Sequence, residues 1–208
     1  NEVVDAYKEG DADFHSIVAD MAEIPRTQAK TINLGLFYGM GKNKLQAELG
    51  VSKDKADELF KKYHHRVPFV KQLMDNVMYR AQDSGRIRTL LGRACRFPLW
   101  EPNQFGIHKA LSHEDALREH GPGIKRAYTY KALNRLIQGS AADMTKKAML
   151  ELYKEGIIPH IQVHDELDIS VKDDIMAAKI KKIMEGAVTL EVPNKIDYEC
   201  GTNWGNIK

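Results

Sequence analysis

The sequence predicts an α+β fold, and three observations carry that expectation. The first third is patterned for helix, a short basic stretch at 86–97 switches to the alternation of a hairpin, and a second alternating stretch stands near the C-terminal end between two more helices. Residues 13–23 have mixed helical character. Pro25 suits the first turn of a helix running to Tyr38, which Gly39 and Gly41 stop. Ser52 is placed to cap a helix through Tyr63, and Pro68 opens another that ends at Gly85. In that last helix Val70, Leu73, Met74, Val77 and Ala81 recur at the spacing of one buried face.

From Arg86 to Phe97 a hairpin is expected, turning at Gly92-Arg93. Residues 98–123 hold Pro98, Pro102 and Pro122 in a charged, His-containing stretch, which predicts a long surface connection with a short helix at 109–119. A helical run from Lys125 to Lys154 follows, with Gly139 as a break or a close-packing point. Ile161, Val163, Leu167, Ile169 and Val171 then alternate with polar residues, and Asp165 falls on the apolar parity. That pattern predicts a half-buried strand pair interrupted by a tight turn. A helix at 173–185 and a strand near Ile196 to Cys200 complete the chain.

A net charge of +2 on 208 residues does not mark a nucleic-acid binder, so any such case rests on local patches. Cys95 and Cys200 lie far apart, without metal-ligand or redox spacing, which fits a reducing cytoplasm. No uncharged apolar run is long enough to cross a bilayer and no signal-type segment opens the chain, so no membrane partner is expected. The first residue is Asn1 rather than Met, and the expectation is a piece of a longer polypeptide.

Two constellations carry chemistry. Arg26, Lys30, Leu34 and Tyr38 are four apart, so each is rotated only about 40° from the last on a helix. Two cations and an aromatic therefore share one side, with Asn33 and Phe37 beside them and Ile32 and Leu36 turned toward a core. Arg26 near the N-terminal end adds to the positive end of the helix dipole, which favours an anion there. Gly35 costs such a helix roughly 1 kcal/mol against alanine, which asks for a packing or ligand role. The second constellation is Val163-His164-Asp165-Glu166, where an acidic pair on a hairpin turn presents oxygen ligands of the kind Mg²⁺ takes.

The run Arg26-x-x-x-Lys30-x-x-Asn33-x-Gly35-x-x-Tyr38-Gly39 resembles the fingers-helix signature of family A DNA polymerases, the bacterial DNA polymerase I type. Gln138-Gly139-Ser140-Ala141-Ala142-Asp143 resembles a second block of that family, and Cys200-Gly201-Thr202-Asn203-Trp204 its C-terminus; the likeness runs from about His15 to Trp204. It implies a helical fingers region at 1–124 and the C-terminal part of an antiparallel palm sheet at 125–208. It implies that Arg26, Lys30 and His15 hold the phosphates of a dNTP, with Lys30 also catalytic, and that Leu34 and Tyr38 sit at its sugar and base. Asn134, Gln138, His164 and Arg126 would meet primer-template DNA. Asp165, with Glu166 beside it, would bind Mg²⁺ and serve a two-metal nucleotidyl transfer. Minor-groove acceptors lie at similar positions in every correct pair, so donors there test pairing without reading sequence.

Thr27 stands where many members have a second arginine, and Tyr130 where an arginine is common. Leu34 replaces the usual Phe or Tyr, as in a subset of phage polymerases, which implies a viral source. Residues 1–12 resemble the stretch that follows the family's first palm motif, whose metal-binding aspartate and ribonucleotide-excluding glutamate are not in this sequence. The expectation is a chain that cannot polymerise DNA without the upstream part of the same enzyme. Two alternatives stand beside it: a relative of the single-subunit RNA polymerases, and a non-catalytic DNA-binding half of a split polymerase. Arg86, Arg88, Arg93 and Arg96, with Lys125, Arg126 and Lys131, either track phosphates or form a solvated face. His108, His113 and His120, with Glu114 and Asp115, lack metal-ligand spacing and are expected at the solvated surface, as are His64 and His65.

Overall fold

In a computed structural model, which describes residues 2–9, 13, 15–16, 19–20, 24–37, 40–66, 68–104, 106 and 109–207, the fold is α+β and its helices end where proline and glycine set them. In chain order the elements are α1 Glu2–Glu9, α2 Arg26–Phe37, α3 Lys42–Leu49, α4 Lys53–Arg66 and α5 Pro68–Ser84. Then come β1 Arg86–Arg88, β2 Ala94–Arg96, β3 Trp100–Pro102, α6 His113–His120, β4 Ile124–Arg126, α7 Ala132–Lys154, β5 Ile161–Val163, β6 Glu166–Asp168 and α8 Asp174–Gly186. Short 3₁₀ turns cover Thr129–Lys131 and Trp204–Asn206. Tyr38 and Gly39 lie outside the described residues, and the helix expected at 13–23 falls on them only in part, 15–16 and 19–20 being helical.

The chain divides into two compact units, residues 13–139 and residues 1–12 with 140–208, and the boundary falls within α7. In the first unit, Ala29 and Ile32 of α2 share a core with Leu45, Leu59, Tyr63 and Val70, contributed by α3, α4 and α5. A second core there joins Val77 and Ala81 of α5 to Ile87, Phe97 and Ala132. Burying these side chains is the main stabilising term, about 1.5–3 kcal/mol for each large one. Ser52 caps α4 as expected, its hydroxyl accepting from Lys55 N at 3.2 Å. α5 ends at Gly85, whose φ of +67° only glycine adopts cheaply.

Four expectations need correction. Residues 42–49, which carry no element in the sequence reading, form α3, held to α4 by Lys42–Asp57 at 3.2 Å. The stretch 98–123 is no open connection. β3 within it pairs with β4 just beyond its end, and α6 starts only at His113 because Ser112 caps it, accepting from Asp115 N at 3.1 Å. The long helix begins at Ala132 rather than Lys125, since Ile124–Arg126 is strand and Tyr128 turns the chain with a φ of +61°. Residues 196–200 form no strand: no described strand lies alongside to complete a ladder, and Ile196 N donates instead to Glu185 Oε1 at 3.2 Å.

In the second unit α7 and α8 bury Ala148, Leu152, Ile180 and Met184 with Ile157, and Leu167 and Ile169 pack onto that core. The described strands form three separate antiparallel pairs, β1 with β2, β3 with β4 and β5 with β6. Among the described residues, no helix is long and apolar enough to cross a membrane.

Candidate functional site

On α2 the buried stripe is Ala29, Ile32 and Asn33, and the exposed one is Arg26, Lys30 and Leu34. The two cations thus lie one turn apart on an open face, as their spacing predicts. Asn33 does not stand beside them: it is 3% exposed, and its Nδ2 donates to Nδ1 of His15 at 3.2 Å. That contact holds His15 against α2. Arg26 is tied to the same segment, its Nε donating to Asp13 Oδ2 at 2.6 Å. Hydrogen bonds from Arg26, then from Ser16, hold the Asp13 carboxyl far below the usual carboxylate range. Lys30 is exposed and makes no hydrogen bond or ion pair with another described residue.

Gly35 has a packing reason. A Cβ there would run into the Met40 side chain, which folds back over the helix end while Met40 N donates to Gly35 O at 2.8 Å. Gly139 is likewise a close-packing point and not a break. A Cβ would stand 2.8 Å from Thr89 Cγ2, and Arg93 Nη2 donates to its carbonyl at 2.8 Å.

Asn134 and Gln138 are both exposed, one turn apart on α7. Arg126 is placed differently, at the root of the β1–β2 hairpin. Its Nε donates to Gln82 O at 3.2 Å and its Nη1 to Phe97 O at 3.1 Å, and the guanidinium stacks on Trp100 at 4.5 Å. With these partners Arg126 acts as a brace. The same unit carries a related brace in Arg135, which donates to Arg96 O at 3.4 Å and lies 4.9 Å from the Phe97 ring.

The acidic turn belongs to the second unit. Val163 pairs with Glu166, which leaves His164 and Asp165 as a two-residue loop. His164 takes a φ of +53°, uncommon for a residue with a Cβ, and Gln162 Nε2 donates to its carbonyl. β5 is exposed along its whole length, so the strand pair is less buried than its alternation predicts; Leu167 on β6 supplies the anchoring to the core. His164, Asp165 and Glu166 are exposed, and the two carboxylates make no bond with another described residue. Adjacent carboxylates with open lone pairs are hard donors that favour a divalent cation. Two carboxylates are fewer ligands than Mg²⁺ takes, and among the described residues no group of three or more His, Cys, Asp or Glu is arranged to hold a metal ion.

Comparison with known proteins decides the family. The model of DNA polymerase family A matches residues 1–206. The chain belongs to that family. A DNA-directed DNA polymerase of Pseudomonas phage M6 is 34% identical over 99% of this chain and 33% of its own length. DNA polymerase I of Geobacillus stearothermophilus is 33% identical over 94% of this chain and 21% of its own length. Among solved structures, the POL domain of Pol1 from M. smegmatis, in complex with DNA primer-template and dNTP, superposes with a TM-score of 0.69 at 28% identity. The match covers 92% of this family A chain and 34% of that one. The chain thus spans about a third or less of the length of these relatives.

The sequence reading missed Asp13 and misplaced Asn33. An aspartate two and three residues ahead of His15 and Ser16 is the local pattern of a helix cap, so a signal for Asp13 was present. Nothing in the spacing separates Asn33 from the polar face, because only the packing of α3 and α4 decides which flank of α2 is covered.

Proposed function

We propose that the chain supplies the nucleotide grip and part of the metal site for template-directed DNA synthesis, in which a dNTP is joined to a primer 3′-hydroxyl. The observation that carries this reading is the placement of Arg26 and Lys30 one turn apart on an exposed face of α2, with His15 held to the same helix through Asn33 and Arg26 tied to the His15 segment through Asp13. Guanidinium, ammonium and imidazole N–H are the donors a triphosphate takes, and the N-terminal end of α2 adds to their field. Leu34 continues that row toward the sugar, and the sequence motif assigns Tyr38 to the base. Asn134, Gln138 and His164 meet the primer-template.

Asp165, with Glu166, would hold Mg²⁺, which when bound neutralises charge on the phosphates and lowers the pKa of the attacking hydroxyl. The phage relative and Leu34 together favour a viral enzyme. Synthesis also needs the aspartate of the first palm motif, so the 208 residues alone bind substrates without extending a primer.

The test uses the 208-residue chain with Mg²⁺ and follows dNTP binding by calorimetry and primer-template binding by fluorescence anisotropy. Lys30→Ala should weaken the nucleotide at least about tenfold, the loss of a charge-assisted contact, and leave DNA affinity unchanged. Equal losses for both ligands would overturn the assignment, and primer extension by the unmixed chain would overturn the division of the metal site.

A further inference from the structure

We infer that Asp13 and Asn33 are positioning residues that preset Arg26 and His15 as donors to the triphosphate, an inference that rests on the nucleotide site just proposed. Asp13 is a fixed point in its own segment. Its Oδ1 accepts His15 N–H at 3.0 Å and its Oδ2 accepts the Ser16 hydroxyl at 2.8 Å, so the carboxylate caps the helical turn that carries His15. The same Oδ2 takes Arg26 Nε at 2.6 Å. Only the Nε edge of the guanidinium is engaged. The terminal Nη pair stays outside the ion pair on a side chain that is 59% exposed, and that end of the fork matches two phosphate oxygens.

Asn33 sets the other donor. Its amide Nδ2 lies 3.2 Å from Nδ1 of His15; with the amide N–H as donor, Nδ1 accepts, and we assign the ring proton of the neutral imidazole to Nε2 on that ground. The buried amide thereby turns the free ring nitrogen into a donor. One carboxylate and one amide, neither reaching for the nucleotide, fix two cationic or donor groups that do.

A competing role for Asp13 has the opposite sign. A carboxylate that merely occupies Arg26 would have to be displaced by the triphosphate, and removing it would raise affinity by removing both a competitor and a like charge. Removal of a positioning carboxylate lowers affinity in spite of the more positive charge left behind.

The 208-residue chain is titrated with dATP and with deoxyadenosine in Mg²⁺, as wild type, Asp13→Asn, Asp13→Ser and Arg26→Ala. Asparagine and serine keep the cap while losing the ion pair. Both should weaken dATP about tenfold, leave deoxyadenosine unaffected, preserve the circular dichroism spectrum and melting midpoint, and have no further effect in an Arg26→Ala background.

Unchanged or tighter dATP binding in both Asp13 variants overturns the inference, as does a loss that persists without Arg26 or follows melting in both. If Arg26→Ala itself leaves dATP affinity intact, or the wild type binds no dATP, the nucleotide site fails and this inference with it. For Asn33 the readout is the ¹⁵N shift pattern of His15 in the unmutated chain, assigned with His15→Gln. The Nε2–H tautomer is expected, and the Nδ1–H form overturns the role of Asn33.

Discussion

Arg26 and His15 are each held by a neighbouring side chain, whereas Asp165 and Glu166 extend from a hairpin ordered by its backbone ladder and by the apolar residues beneath it. The difference follows from charge and from side-chain length. A long cationic side chain loses rotamer freedom when it binds, so a counter-ion that fixes it beforehand reduces that cost. A carboxylate that is to ligate a cation needs its lone pairs open, so its position must come from the main chain instead. The first unit extends the same habit to Arg126 and Arg135, which tie hairpin carbonyls with their guanidinium groups.

The comparison can be broken most forcefully under the acidic turn. Leu152 is fully buried in the α7–α8 core on which Leu167 packs, and Leu152→Ala should cost about 2–5 kcal/mol. Hydrogen exchange of the α7 and α8 amides measures that loss, and retained protection would mean the turn is anchored elsewhere. Next in size, Arg126→Ala leaves the Gln82 and Phe97 carbonyls without their donor and should destabilise the hairpin root by about 1–3 kcal/mol. Arg126→Lys should restore little of it, since one ammonium cannot serve two carbonyls and stack on Trp100 as well. Thermal melts of the three proteins check both statements. The smallest effect belongs to His164→Gly, which relieves a φ of +53° and should change stability by less than about 1 kcal/mol. A larger loss would show that the imidazole itself orders the turn.

Local signals were legible wherever a single residue type dictates the backbone. Pro25 and Pro68 mark the starts of α2 and α5, Gly85 marks an end, and the parity of Asp165 marks the turn. α3 was not legible because eight residues between two glycines bury only Leu45 completely, too few apolar repeats to register a period. β3 and β4 are three residues each and exist by pairing across an intervening helix, a non-local cause that no window detects. The strand expected at 196–200 failed for the mirror reason: its pattern was right and its ladder partner was not there among the described residues. At the candidate site, residue types and helical spacing gave Arg26 and Lys30. The partner that holds Arg26 depended on a contact thirteen residues away.

Gly35 and Met40 have a consequence for how this helix can vary. What stands in the space a Cβ at position 35 would need is the flexible end of Met40, its Cε and Sδ, so alanine there asks the thioether to swing aside and leaves the backbone in place. In a stability scan Gly35→Ala should therefore be tolerated by itself, and Met40→Ala beside it should add little.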